Sequence, residues 1–304
     1  MLEQEGADPA FQAVQSRLFG LAYRMLSSRA DAEDVVQDAY VRWHQADRSV
    51  VESPEAWLVA ATTRLSIDRL RRLKTERETY PGPWLPEPLL SEEPSYQDRR
   101  LEISSDLSIA FLVLLERLAP EERAAFLLHD VFDADYDRIA MVLDKTEAAC
   151  RQIVHWARDR VRRDERRFPA TEAARVGLLR QFKAAVEARD EHAVLRLLSP
   201  DVTWTADGGG RVHAAPRAID GAPRIARLAV GLMSKFYGPG TTLHLVEVNG
   251  EAGLCFRVDG ALRSLLTLET DGTRIFAVWV VANPDKLPSD DVGRRRGSAS
   301  VSGQ

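Results

Sequence analysis

Five of the fifteen prolines in this chain of 304 residues fall in one short stretch, at Pro81, Pro83, Pro86, Pro88 and Pro94. Proline fixes φ and has no N–H, so residues 80–105 cannot continue a helix and favour an extended, semi-rigid backbone. One uninterrupted helical core is excluded, and the chain must build separate units on either side. Residues 11–77 carry few helix breakers and a helical apolar period, and residues 107–167 are helical again. A second boundary is expected at Phe168-Pro169-Ala170-Thr171. Two helices, 172–188 and 191–198, follow it. The period then changes to strands at 243–248, 252–258, 262–268 and 274–281, divided by Asn249-Gly250, Asp259-Gly260 and Asp271-Gly272. These dipeptides are short-turn signals, and they predict an antiparallel meander. A helix at 218–236 makes this last unit α+β, and the Ser/Gly-rich tail 288–304 is expected to be disordered.

Composition narrows the class. The chain is 45% hydrophobic and 29% charged, enough for real cores. No run approaches the length of a membrane span. The acidic first ten residues lack the apolar stretch of a signal peptide. The two cysteines, Cys150 and Cys255, have no metal-like spacing. A reduced cytoplasmic protein without disulfide, metal or cofactor is expected. The net charge of −5 argues on its face against a polyanion partner. Local charge argues the other way. Residues 64–77 hold six cations against two acids, and residues 145–167 hold eight against four, so each nets +4. Residues 1–63 hold ten acids against five arginines.

Three segments carry the functional pattern. In Asp31-Ala-Glu-Asp-Val-Val-Gln-Asp-Ala-Tyr-Val-Arg-Trp-His44, Asp31 is expected as the helix cap. Val36, Ala39, Tyr40 and Trp43 form an apolar face, and Glu33, Asp34, Gln37 and Asp38 an acidic stripe. A solvated helix face or a dock for a basic partner would both look like this. Ser53-Pro54-Glu55 starts a second helix. Trp57, Ala61, Leu65 and Asp68 are placed on one inward face of it, and its C-terminal half carries Arg64, Arg71 and Arg72. Third, residues 135–143 and a helix capped by Thr146 flank the tight turn Asp144-Lys145, as a helix-turn-helix requires. Ile139, Ala140 and Leu143 are expected inward on the first helix, with Ala149, Ile153 and Trp156 inward on the second. Glu147, Arg151, Gln152 and His155 then point outward, where Arg151 suits guanine and Gln152 adenine. An ordinary αα-hairpin with a basic face is the plain alternative.

In this order, acidic helix, basic helix, linker and helix-turn-helix resemble an extracytoplasmic-function (ECF) RNA polymerase sigma factor over residues 11–167. The resemblance implies that Glu33, Asp34, Gln37 and Asp38 bind the β′ clamp of core RNA polymerase. It also implies that Arg64, Arg71 and Arg72 hold promoter −10 DNA, with residues 45–52 where the family captures a flipped base. Thr146, Arg151, Gln152, His155 and Arg158 would serve the −35 element. Two positions depart from the family pattern: Arg64 stands where many relatives have asparagine, and Asp144-Lys145 replaces a glycine and an apolar residue. Trp84-Leu85-Pro86-Glu-Pro-Leu89, Asp207-Gly208-Gly209-Gly210-Arg211 and Asn283-Pro284-Asp285-Lys-Leu287 resemble the marks of the sigma-J type. Members of that type carry a fused SnoaL-like domain of the nuclear-transport-factor cone fold.

The resemblance implies a multidomain chain, two all-α sigma domains followed by an α+β SnoaL-like cone. Region two would take residues 1–79, the linker 80–105, region four 106–168, the cone 169–287 and the tail 288–304. Core polymerase (β′ clamp and β subunits) and promoter DNA are the implied partners, with room for a small-molecule ligand in the cone and no membrane. The three sigma-J segments are expected to meet in cis. Residues 207–211 alone would read as a hairpin turn between strands 202–205 and 212–214. A polymerase-independent helix-turn-helix regulator with a ligand-sensing C-terminal domain is the rival reading. A SnoaL-like enzyme is a third, with Asp201, Asp207, His213 and His244 as its acid/base candidates; His244 is expected in the core. For a sigma factor of this charge, weak DNA binding without polymerase is expected.

Overall fold

A computed structural model describes residues 8–91, 107–164, 170–235 and 240–288. They form two compact units, the first from residues 8–79 and 107–164, the second from residues 80–91 and the described residues from 170 onward. Most of the expected linker, the boundary at Phe168-Pro169 and nearly all of the tail lie outside the described residues. So do Arg166 and Arg167. Residues 80–91, expected as linker, pack as part of the second unit.

In the first unit, α1 (Pro9–Leu26), α2 (Arg29–Gln45) and α3 (Pro54–Glu78) pack against one another, with a 3-10 turn at Arg48–Val50. Leu18, Leu21, Met25, Ala32, Ala39 and Leu58 are buried between them. The start of α3 is as its sequence predicts: Ser53 Oγ accepts the Ala56 N–H at 3.2 Å and Pro54 takes the first turn. The start of α2 is not. Ser28, rather than Asp31, is its cap, accepting the Asp31 N–H at 3.3 Å. A hydroxyl three residues earlier takes the orphan donor, so Asp31 lies inside the first turn.

The helix-turn-helix lies in α4 (Ile109–Leu115), α5 (Pro120–Phe126), a π turn (Leu127–Val131), α6 (Tyr136–Leu143) and α7 (Glu147–Asp164). Asp144 takes the glycine position of the tight turn with φ 52°, a left-handed conformation that aspartate tolerates better than most residues. Thr146 Oγ1 accepts the Ala149 N–H at 3.2 Å and opens α7. The inward face of α7 is offset from the expected one. Cys150, Val154, Ala157 and Val161 are buried, Ala149 and Ile153 sit at the border, and Trp156 is 55% exposed. Ile139, Ala125 and Leu128 complete this core. Small residues at 150 and 157 let α7 approach its neighbours closely, and an indole there would be too large. Asp68, placed inward on α3 by its spacing, is also exposed.

The second unit contains α8 (Glu172–Glu187), α9 (Glu191–Leu197), α10 (Ala222–Lys235) and one seven-stranded sheet. Its strands are β1 (Leu90–Ser91), β2 (Leu198–Asp207), β3 (Ile219–Asp220), β4 (Thr241–Val248), β5 (Glu251–Val258), β6 (Ala261–Thr270) and β7 (Ile275–Val281), in the order β1-β4-β5-β6-β7-β2-β3. The antiparallel meander β4 to β7 follows the predicted turns. Asn249-Gly250 and Asp259-Gly260 hold both residues at positive φ, as two-residue hairpins of primed type demand. Beside β7, β2 adds in parallel, which no local pattern announces. Residues 212–214 form no strand, so Asp207–Arg211 is not a hairpin; β2 pairs instead with β3. The helices cover one sheet face over Phe182, Trp204, Ile225, Leu254, Leu266 and Val278. The expected order, all-α units followed by an α+β unit, is thus the one observed.

Candidate functional site

Burial of Ala32, Val35, Val36, Ala39 and Trp43 fixes the rotation of α2. The opposite side then presents Glu33, Asp34, Gln37 and Asp38, all exposed. Glu33 pairs with Arg29 one turn earlier at 2.8 Å, an exposed helical pair of small energetic weight. Asp31 turns inward and receives Arg69 at 2.6 Å. In the last turns of α2, the Trp43 indole N–H donates to Asp8 at 3.0 Å, and Arg48 from the loop that follows lies over the indole at 5.0 Å. That hydrogen bond leads the causes that hold the Asp8 carboxyl below its usual range. Val50 in the same loop is exposed.

The outer face of α3 carries Arg64, Asp68, Arg71 and Arg72, all exposed. Two of these arginines are engaged within the first unit. Arg64 donates to the carbonyls of Met141 at 2.6 Å and Val142 at 3.1 Å. Arg71 donates to Glu121 at 2.9 Å. Glu121 also takes Lys145 at 3.0 Å, and the Lys145 hydrogen bond is the chief reason its carboxyl is held low.

On α7, Arg151, Gln152 and His155 project outward as expected. The Arg151 guanidinium bonds Glu147 at 2.6 Å and lies 5.1 Å from the Tyr136 ring centre. Arg158 is less available: both oxygens of Asp130 hold it, at 2.6–3.0 Å, and this bond raises its pKa. Thr146 spends its hydroxyl oxygen on the α7 cap.

Pattern reading missed a buried cluster behind these surfaces. Glu116, after α4, accepts from Ser27 at 2.7 Å, from Arg123 at 3.0 Å and from Arg77. Arg77 also donates to the Leu26 carbonyl at 2.9 Å, and Arg123 to that of Met25 at 2.5 Å. Burial would raise the Glu116 carboxyl, but Arg123 and Arg77 outweigh it and hold it below the usual value. The charges of 77, 116 and 123 look like ordinary surface charges in sequence, and no spacing flags them.

In the second unit, the three sigma-J segments converge on Asp207, which is fully buried. Its carboxylate accepts from Tyr80 Oη at 2.6 Å, Lys286 Nζ at 2.7 Å, Leu85 N–H at 2.9 Å and Gly209 N–H at 3.0 Å. Its carbonyl accepts the N–H groups of Ala282 and Asn283. Asn283 Nδ2 donates to Tyr80 Oη at 2.9 Å and Asn283 Oδ1 accepts the Asp285 N–H at 3.0 Å. Lys286 Nζ lies 3.9 Å from the Trp84 ring centre and donates to the Leu85 carbonyl at 2.6 Å. Arg211 pairs with Asp285 at 3.1 Å on the exposed side, next to exposed Pro284. Burial, then the Asp207 bond, pushes the Tyr80 phenol well above its usual pKa.

Close approach explains the glycines. A Cβ on Gly209, at φ 59°, would sit 2.3 Å from Asn283 Nδ2, one on Gly210 2.7 Å from Pro81, and one on Gly208 2.6 Å from the Val212 carbonyl oxygen. Leu85 and Pro86 are buried. Leu89 exchanges two hydrogen bonds with Asn249, and β1 then extends the sheet beside β4.

The acid/base candidates do not assemble. Asp201, His213 and His244 are exposed, so His244 is not a core residue, and Asp207 is committed to the junction. The apolar pocket under α10 is small, about 20 Å³, and is lined by Phe182, Trp204, Met233 and Phe256 among others, with Ser264 its one polar side chain. None of the four candidates lines it.

The Sigma-70 region 2 family matches residues 10–76, and the Sigma-70 region 4 family matches residues 108–161. The chain is 37% identical to the ECF RNA polymerase sigma factor SigJ of Mycobacterium tuberculosis, over 97% of each chain. It is 31% identical to the ECF RNA polymerase sigma factor SigE of Mycolicibacterium smegmatis over 48% of this chain and 56% of that one. The crystal structure of the M. tuberculosis SigJ protein superimposes with a TM-score of 0.74 at 36% identity, covering 91% of this chain and 96% of that one.

Proposed function

The chain belongs to the ECF RNA polymerase sigma factors and is an alternative sigma factor in transcription initiation, and we propose which of its surfaces carry each step. The acidic stripe of α2 binds the β′ clamp of core polymerase, in the cytoplasm. Arg64, Arg71 and Arg72 hold −10 DNA. Arg151, Gln152 and His155 read −35 base edges, with Tyr136 and Glu147 aiming the Arg151 guanidinium. Arg158 and Thr146 support the −35 helix, the first through Asp130 and the second as its cap. The observation that carries this reading is the one capped helix that turns Glu33, Asp34, Gln37 and Asp38 outward together. A polymerase-independent regulator would have no use for that stripe.

The Asp207 junction is proposed as the regulatory element in cis. Residues 80–91 follow α3 directly, and the second unit fixes their course. The chain between regions two and four is thereby shortened, which controls the span over which both promoter elements can be engaged.

Co-purification with core polymerase tests the first assignment. The double substitution Asp34→Ala/Asp38→Ala should abolish it while leaving the helical signal intact. Undiminished co-purification would remove α2 as the docking helix.

A further inference from the structure

The oxygens that hold Arg64 and Arg71 are of the kind a DNA backbone offers. Arg64 meets two carbonyl oxygens in the last turn of α6, the negative end of that helix. Arg71 meets a carboxylate, Glu121, in the first turn of α5. Beneath these bonds Val59 of α3 packs against the helix-turn-helix core. The same side chains cannot hold these oxygens and phosphates at once.

We propose that the α5–α6 face of the helix-turn-helix is an internal stand-in for the DNA backbone, occupying the −10 surface of α3 in the free chain. The inference rests on the assignment of Arg64 and Arg71 to −10 DNA. It goes further in naming what those residues bind when no promoter is present, and by which atoms. The acidic stripe of α2 is exposed in the same arrangement. Polymerase can therefore dock first, and α3 takes promoter DNA only after α3 and α6 part. Arg71 and Glu121 are 57% and 37% exposed, so water can replace each partner as the two helices separate.

The test uses the full chain without polymerase and a labelled DNA duplex of arbitrary sequence, titrated by fluorescence anisotropy over a range of salt. Glu121→Gln removes one arm of the α3–α5 pairing without altering an assigned DNA residue. It should tighten binding about 2–5-fold, the span expected for an exposed ion pair. The log–log salt slope should steepen by about 0.9, the increment for one more phosphate neutralised. The tighter binding should vanish when Arg71→Ala is added and survive when Lys145→Ala is added. Unchanged affinity, or an increase that survives Arg71→Ala, overturns the proposal, because the effect would then be the mere loss of a negative charge. A holoenzyme carrying Arg64→Ala/Arg71→Ala tests the underlying assignment separately: unchanged promoter binding there would remove these arginines from −10 recognition, whatever Glu121→Gln does.

Discussion

Glu116 in the first unit and Asp207 in the second are both carboxylates withdrawn from water, and each gathers groups from far along the chain, yet their partners differ in kind. Glu116 is held by Arg77, Arg123 and the Ser27 hydroxyl, and its side chain keeps 19% of its exposure. Asp207 has no exposure and takes two backbone N–H groups and a phenol besides Lys286. A joint made mainly of ion pairs depends on both charges being present. A joint that also satisfies backbone donors is tied to the course of the chain and is costly to leave half-made. The first joins α1 and α3 to the helix-turn-helix, the elements proposed above to part when DNA is engaged. The second anchors the segment 80–91 within the second unit.

The largest expected effect is at the second joint. Asp207→Ala removes the counter-charge of the Lys286 ammonium and the acceptor of the Tyr80 phenol and of two N–H groups, and should lower the stability of the second unit by about 3–5 kcal/mol. Denaturant unfolding checks this, and an unchanged midpoint would show that the junction contributes nothing. Asp207→Asn, which keeps an acceptor oxygen, should lose less.

The two joints should also fail at opposite ends of the pH scale. Glu116 has a folded pKa below its ordinary 4.5, so its contribution is present above that value and is lost as pH falls through the folded pKa. Tyr80 has a folded pKa above its ordinary 10.0, so its contribution is present below that value and is lost as pH rises toward the folded pKa. Unfolding free energies measured from acid to alkali should show Glu116→Gln flattening the acid limb and Tyr80→Phe the alkaline limb. The same limb lost in both variants would break the contrast.

The smallest effect is at the surface, away from both joints. Arg151→Ala should cost about 1–3 kcal/mol at a single −35 base position, read from transcription on a set of promoter variants. Equal loss on every variant would mean that Arg151 contacts phosphate rather than a base edge.

Much of the architecture was legible because local rules act over a few residues. Ser53-Pro54, Thr146, Asn249-Gly250 and Asp259-Gly260 each specify a cap or turn through groups within three positions, and each does so in the structure. The outward set on α2 and α7 follows from helical period alone. The failures are equally local. Ser28 outcompeted Asp31 as a cap, and the α7 register moved by one residue because small side chains at 150 and 157 fit the neighbouring helices where Trp156 does not. Residues 207–211 looked like a hairpin since their glycines supply positive φ. The same glycines serve instead to admit Asn283 and Pro81.

The bulk charge of −5 seemed to forbid DNA, while the charge of each helix said which partner its surface suits. That much the order of residues determines, because side-chain chemistry and period need no tertiary context. Which oxygens Arg64 and Arg71 hold, that Glu116 and Asp207 lie inside, and that the proline-rich segment belongs to the second unit were decided by packing alone. Most of those contacts join residues 39 to more than 200 positions apart. Desolvation there depends on what the rest of the chain places around each charge, and no window of sequence contains it.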